Sequence, residues 1–420
     1  MKILIAHQNF PGQYLSLARH LGSTGKHDVV FLTQRKDGEL PGVRKVVYHP
    51  ARAVTPGIHH YLRETEGAIL NAQEVARAAL ALKNSGWVPD VMLGHNGWGE
   101  IWYLKDVFPT TPLIGYFEFF YRFDGADVGF EPGVPVEFDT GPRVRSKNLG
   151  NLLGLEAADI GQCPTHWQRS LYPSVYTSKL HVVHEGVDTE RVAPNPKVRV
   201  RIPGAQVELG VEDEVVTFVA RNLEPYRGFP SFMRSLCAVL KARPKAHVLI
   251  VGGDGVSYGA PRLDGKTYRE EMLKELDGQL DLSRVHFLGR VPYQQFLGLL
   301  QVSSVHVYLT YPFVLSWSML EAMSAGCVVI ASKTQPVQEV VSHMDNGILV
   351  DVFDVPTISA RIIAALEDPV GHRRLREAAR RMAIEQYDLK TICLPAQLRL
   401  LQMASPPPRR SLWSPTGVTA

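Results

Sequence analysis

The chain opens with Lys2-Ile-Leu-Ile-Ala6, continues through His7-Gln-Asn-Phe-Pro-Gly-Gln13, and enters Tyr14-Leu-Ser-Leu-Ala-Arg-His-Leu21. A short β-rich run stops at a polar Pro-Gly loop, after which Tyr14, Leu15, Leu17, Ala18 and Leu21 recur at helical spacing. The reading is strand, loop, helix. Apolar runs follow at 29–33, 46–48, 91–94 and 113–117, with a helical stretch over 64–84 between some of them. This alternation predicts a parallel sheet covered by helices.

The pattern restarts downstream with strand-like runs at 215–220, 246–252, 285–288, 305–309 and 328–331. A second α/β unit is implied, and the junction falls in 188–206, where Pro194, Pro196 and Pro203 stand among basic residues and neither periodicity survives. The expected organisation is an N-terminal Rossmann-like domain over 1–190, a C-terminal one over 207–370, a helical segment over 371–403 packing back towards the N-terminal domain, and a disordered tail over 404–420 beginning near Ser405-Pro-Pro-Pro-Arg-Arg410. In doubly wound sheets ligands bind at the carboxyl ends of strands, so function is sought in the loops that follow strands.

At 420 residues, 45% hydrophobic and 21% charged, the chain can bury two full cores, which excludes wholesale disorder. A net charge of +3 gives no global field for nucleic acid, so any anion site is local. Cys163, Cys237, Cys327 and Cys393 are far apart, without a C-x-x-C pair. That fits a reducing compartment and neither a disulfide framework nor a zinc site. The first apolar run is too short for a signal peptide, and no stretch approaches the ~20 apolar residues that span a bilayer. The expected location is cytoplasmic, with peripheral contact at the inner membrane face as an option.

Four loops carry candidate chemistry. Arg221-Asn-Leu-Glu-Pro-Tyr-Arg227-Gly228 follows a strand and precedes a helix, and two guanidinium groups beside a helix start suit a diphosphate; the plain alternative is a surface Arg paired with Glu224. Gly252-Gly253-Asp-Gly255 is a turn where backbone can approach a ligand. In Tyr311-Pro-Phe-Val-Leu-Ser-Trp-Ser-Met-Leu-Glu321-Ala-Met-Ser-Ala-Gly326, Ser316 or Ser318 can cap a helix that Gly326 ends, while Trp317, Leu320 and Met323 pack inward. That helix start favours phosphate oxygens, and Glu321 can accept bonds from ribose hydroxyls. His95-Asn-Gly-Trp-Gly-Glu100 places His95 after a strand, able to bond a sugar hydroxyl or a developing charge. The aromatic residues Tyr116, Phe117, Phe119, Phe120, Tyr121 and Phe123 around Glu118 read as core or as an acceptor platform, and Arg143, Arg145 and Lys147 before Leu149, Leu152, Leu153 and Leu155 as a helix packed on its own domain or docking at a membrane surface.

In this order the pieces resemble glycosyltransferase family 4, retaining enzymes of the GT-B architecture with two Rossmann-like doubly wound parallel-sheet domains facing a central cleft. The resemblance rests on Phe10-Pro-Gly12-Gln13, His95, His184-Glu-Gly-Val-Asp188, the segment from Arg221 to Gly228, Gly252 to Gly255, Val285-His-Phe-Leu-Gly-Arg290-Val291, and Leu320-Glu-Ala-Met-Ser-Ala-Gly326. It implies that Arg221 and Arg227 hold a donor diphosphate, with Arg227 where the family usually has lysine. Backbone from Leu315, Ser316, Trp317 and Ser318 would touch phosphate and sugar, Glu321 would bind the ribose, and Arg290 and Val291 would read the base. Gly12 and Gly253 would lie against the donor, and His95 near the sugar. The family commonly has another glutamate eight positions before Glu321; here that position is Phe313. The implied activity is transfer of a sugar from a nucleoside diphosphate sugar to a glycan, glycolipid or small-molecule acceptor, in bacterial polysaccharide or glycoconjugate biosynthesis. With no D-x-D sequence, metal independence is expected, with no cofactor beyond the nucleotide-sugar co-substrate and no nucleic-acid partner. The alternatives are a nucleotide-sugar epimerase or hydrolase on the same fold, or a non-catalytic sugar-nucleotide binder.

Overall fold

The computed structural model describes residues 1–404, so the expected tail lies, beyond Ala404, outside the described residues. The described residues form two compact units: Met1–Gly186 with Leu389 to Ala404, and Val187–Asp388.

The first unit carries β1 (Lys2–Ala6), β2 (Asp28–Thr33), β3 (Val43–Val47), β4 (Val91–His95), β5 (Leu113–Tyr116), β6 (Ile160–Cys163) and β7 (Leu180–Val182). They form one sheet in the order β3-β2-β1-β4-β5-β6-β7, every pair parallel. Each residue of β4 and β5 is buried, because helices cover both faces of a parallel sheet; that is why these strands read as continuous apolar runs. Ile3, Ile5, Val29 and Phe31 pack with Leu17 and Leu21 of helix Leu15–Ser23, and Leu400 and Leu401 of helix Leu394–Met403 join the same core.

The second unit begins with a short antiparallel pair, β8 (Arg199–Arg201) and β9 (Glu208–Gly210), then β10 (Val215–Asn222), β11 (His247–Gly253), β12 (Val285–Gly289), β13 (Val305–Tyr308), β14 (Val328–Ser332) and β15 (Ile348–Val350). The parallel order is β12-β11-β10-β13-β14-β15. Alternate residues of β10 face opposite cores: Val216 and Phe218 meet Phe229, Phe232 and Leu236, whereas Val215 packs with Leu249 and Leu299. Phe218 and Phe232 stack at 4.6 Å between centroids.

Two expectations are corrected. The stretch over 188–206 is not wholly irregular, since Arg199–Arg201 pairs with Glu208–Gly210; three residues are too few for periodicity to register. The helical stretch over 371–403 is not one segment. Helix Arg373–Tyr387 belongs to the second unit, where Ala379 and Ala383 pack against Leu320 and Met323, and helix Leu394–Met403 belongs to the first.

In both units the sheet runs 3-2-1-4-5 outward from its first strand. The chain therefore winds in opposite directions from the first and fourth strands, and their following loops part to leave a crevice. In the first unit those loops start at His7 and after His95, the last residue of β4; in the second they start after Asn222 and Tyr308.

Candidate functional site

In the second unit the loop after β10 makes a tight turn, Pro225–Arg227, that ends in Gly228 at φ +64°. A Cβ there would stand 2.3 Å from Leu309 Cβ, so glycine lets the turn press against the loop after β13. Arg227 is thereby driven inward, 6% exposed. Its Nη1 donates to Tyr308 Oη at 3.2 Å, Thr310 Oγ1 at 2.9 Å and the Val314 carbonyl at 3.1 Å. The guanidinium also lies over the Tyr258 ring at 5.0 Å. Among the described residues Arg227 forms no ion pair with a carboxylate. A buried cation held by neutral oxygens keeps its positive potential for an incoming anion.

Tyr308 Oη accepts a second bond, from the Ser316 N–H at 2.8 Å, and so ties Arg227 to the start of helix Trp317–Ala325. Ser316 is that helix's N-cap, its Oγ accepting from the Ser318 N–H at 3.4 Å, and Gly326 ends it at φ +84°. The first-turn N–H groups and the positive helix end thus stand beside Arg227. On the same helix Glu321 accepts from Tyr293 Oη at 2.7 Å. Burial lifts its carboxyl to about 7, with the Tyr293 bond pulling the other way. The Arg191 guanidinium covers the Tyr293 ring at 4.9 Å.

The remaining residues expected here lie on strands, loops and a helix start of the same unit. Gly253 packs between Asn222 and Arg290: a Cβ would lie 2.7 Å from Asn222 Oδ1 and 3.3 Å from Arg290 Nε. Val291 packs into the core, and Leu315 is buried there. Arg221 is exposed and makes no side-chain bond among the described residues. Its suggested pairing with Glu224 is wrong: fully buried Glu224 accepts instead from the N–H groups of Ser257 at 3.0 Å, Tyr258 at 3.2 Å and Gly259 at 2.8 Å. Trp317 does not pack inward; it is 43% exposed, although Ser318, Met319, Leu320 and Met323 of the same helix are buried. Phe313 is buried among Tyr226 and Tyr258, with ring centroids at 5.7 and 4.8 Å.

The first unit's crevice is built differently. His95 Nδ1 accepts from the Gly97 N–H at 2.9 Å, so the ring proton sits on Nε2, which is buried without a hydrogen-bond partner. Trp98 and Tyr116 flank the imidazole at 4.5 and 5.0 Å. Burial, aided by nearby His7, holds the His95 pKa well below the ordinary imidazole range. His7 repeats the device: Nδ1 accepts from the Asn9 N–H at 3.0 Å, and Nε2 donates to Gln13 Oε1 at 2.6 Å. Burial brings its pKa down to about 4 against the Gln13 bond. His184 does so a third time, accepting from the Gly186 N–H at 2.9 Å. Gly12, at φ +53°, leaves room over His7; a Cβ there would fall 2.6 Å from His7 Nε2. Nearby, fully buried Glu100 accepts from the Gln8 N–H at 2.8 Å, its other oxygen lacks a partner, and burial raises it to about 8. Among the described residues no group of three or more His, Cys, Asp and Glu is arranged to hold a metal ion.

Sequence reasoning singled out Arg227, Ser316 and His95 and did not name the neighbours Tyr308, Thr310, Tyr258, Tyr293, His7 and Gln13 that surround them or their helix. His95 closes β4 and His7 directly follows β1, so a search of strand ends finds both.

Comparisons with known proteins agree with this architecture. A model of the glycosyl transferase family 4 group matches residues 25–192, and one of glycosyl transferases group 1 matches 205–382. D-inositol 3-phosphate glycosyltransferase of Streptomyces coelicolor is 29% identical over 220 residues, 49% of this chain and 46% of that protein. A GDP-mannose-dependent α-(1-6)-phosphatidylinositol monomannoside mannosyltransferase of Mycolicibacterium smegmatis is 24% identical over 266 residues, 59% of this chain and 62% of that protein. The matches thus span about half to three-fifths of these relatives. Among solved structures, sucrose-phosphate synthase from Thermosynechococcus elongatus superposes with a TM-score of 0.72 at 17% identity, covering 97% of this chain and 100% of that one. Anabaena Alr3699/HepE in complex with UDP and glucose gives 0.63 at 17% identity, covering 96% and 100%. Two Rossmann-like units with these strand orders, matched along most of their length by the two family models, place the chain in the glycosyltransferase family 4 group, with the GT-B fold.

Proposed function

We propose that the protein is a retaining glycosyltransferase that moves a sugar from a nucleoside diphosphate sugar to an acceptor hydroxyl, in bacterial polysaccharide or glycoconjugate biosynthesis. One observation carries the reading: Arg227 is buried among neutral oxygens and linked through Tyr308 to a helix N-terminus. The leaving diphosphate gains negative charge as the sugar bond breaks, and a preorganised cation and helix end stabilise that charge without reorganising. Exposed Arg221 would close on the diphosphate from the strand end. Backbone from Leu315 to Ser318 would hold phosphate oxygens, Glu321 would take ribose hydroxyls, and Gly253, Arg290 and Val291 would line the base. Gly12 and His95 would serve the sugar, His95 as a neutral N–H donor. No protein nucleophile is needed if the acceptor attacks from the leaving-group side and a phosphate oxygen takes its proton.

The names of the relatives support a sugar-transfer reading, and the Anabaena complex supports a nucleotide-sugar donor. We further propose metal independence, because no D-x-D sequence exists to chelate a metal–diphosphate complex. A cytoplasmic protein that touches a membrane from the side accords with the absence of a helix long and apolar enough to cross one among the described residues, and with the exposure of Leu149, Leu152 and Leu153 on one helix. Thermal-shift titration with UDP, GDP, ADP and dTDP tests the donor claim. A nucleotide at a hundred times its Kd should stabilise the fold by ~2.7 kcal/mol, and no shift with any of the four would overturn the reading. Transfer should persist in excess chelator. Non-catalytic donor binding has one observation in its favour, the apolar Phe313 cluster; tight donor binding without product across an acceptor panel would establish it.

A further inference from the structure

Glu224 is the residue before the turn that carries Arg227, and it is completely buried. Its main chain and its side chain reach in two directions. The carbonyl accepts from the Arg227 N–H at 3.1 Å and so closes the turn. The carboxylate accepts from three successive N–H groups of the loop after β11: Ser257 on Oε1 at 3.0 Å, and Tyr258 and Gly259 on Oε2 at 3.2 and 2.8 Å. Two residues before Glu224, Asn222 Nδ2 donates to Ser257 Oγ at 2.6 Å and adds a further tie to the same loop. The fit is close, since a Cβ on Gly259 would stand 3.2 Å from Glu224 Oε2.

The loop held in this way brings the Tyr258 ring to 5.0 Å from the Arg227 guanidinium. Arg227 is then fixed from two directions, by that ring and by the three oxygens that accept from Nη1. A ring over the guanidinium plane leaves its N–H edges to meet an anion. Three converging donors suit a carboxylate, which accepts on both oxygens; an amide has one acceptor oxygen and would turn its own NH2 against a backbone N–H. We propose that Glu224 is a positioning residue for the leaving diphosphate: its carboxylate holds Tyr258 against Arg227 through the Ser257–Gly259 loop, and its carbonyl sets the turn on which Arg227 stands. The cation is thereby aligned before the nucleotide arrives, as preorganised stabilisation of a developing charge requires. This inference rests on the donor reading above and adds the residue that orients the cation.

The test uses the full chain and a double-mutant cycle. Wild type is compared with Glu224→Gln, Tyr258→Leu and Arg227→Met, and with each of the first two combined with Arg227→Met. Calorimetry gives Kd for UDP, GDP, ADP and dTDP, and competition gives Kd for the corresponding bare nucleosides. Glu224→Gln and Tyr258→Leu should each weaken nucleoside diphosphate binding about 3- to 30-fold, the worth of one cation–π contact, and leave nucleoside binding unchanged. In the Arg227→Met background neither should cost more than about twofold further. A role for Glu224 in holding the fold alone predicts the opposite: nucleoside and diphosphate affinities fall together, or the losses multiply in the double variants. Either result overturns the inference, as does an unchanged diphosphate Kd in Glu224→Gln. Should Glu224→Gln fail to fold, Gly259→Ala, which crowds Oε2 from the loop side, carries the same cycle with the same expected and contrary results. If wild type binds none of the four nucleotides, the donor reading falls and this inference with it; if wild type binds and the losses multiply, only this inference falls.

Discussion

The two crevices share a strand order and differ in how they handle charge. In the second unit a permanent cation, Arg227, is buried and bonded to Tyr308, Thr310 and Val314, none of which cancels its charge. In the first unit the buried groups are titratable, and burial drives them neutral: His7 and His95 lose their protons and Glu100 keeps its own. One crevice supplies field, the other supplies directed hydrogen bonds. The same topology therefore yields either a buried charge or a set of buried neutral groups, depending on which side chains the diverging loops carry inward.

The comparison breaks most readily at Arg227. Arg227→Met keeps much of the side-chain volume and removes the charge; if the residue acts like one oxyanion-stabilising donor, kcat should fall about 10²- to 10³-fold. A fall of less than threefold in single-turnover rate would mean that the second crevice does not work by field. The next test concerns the first unit's neutrality. Glu100 titrates near 8 in the fold and near 4.5 when exposed, so between those values the unfolded chain has released a proton that the native protein retains. Stability must then fall as pH rises from about 4.5 through about 8, and Glu100→Gln should flatten that limb of the urea-unfolding profile. An unchanged slope would show that Glu100 is not held protonated. The smallest effect is expected at Tyr293→Phe, which removes the bond to Glu321. Nucleotide affinity should drop about fivefold for one lost hydrogen bond, and the Glu321 carboxyl should titrate higher still, because the Tyr293 bond now holds it down. Infrared titration of the carboxyl reads this directly.

Most of the fold could be read from the sequence because parallel strands are buried on both faces and show as unbroken Val/Ile/Leu runs. Ile160–Cys163, Leu180–Val182 and Ile348–Val350 could not: Gly161 and Gln162 break one, and the others are three residues long. Side-chain partners were harder. Arg227 and Thr310 are 83 residues apart, and nothing local in either segment says that one donates to the other. Trp317 shows the limit of helical spacing: it stands three residues before buried Leu320 and is itself exposed. Glu100 reads like any surface glutamate until the strands around it are assembled. Phe313 was visible as a departure, whereas the tyrosines that enclose it were not.

The backbone clamp shared by His7, His95 and His184 has a practical implication for redesign. In each ring the proton is assigned by the chain's own path, through the N–H two residues later, and not by a neighbouring acid. Side chains around these rings can therefore be exchanged without reversing which ring nitrogen carries the hydrogen. Reshaping the turns themselves would scramble that polarity.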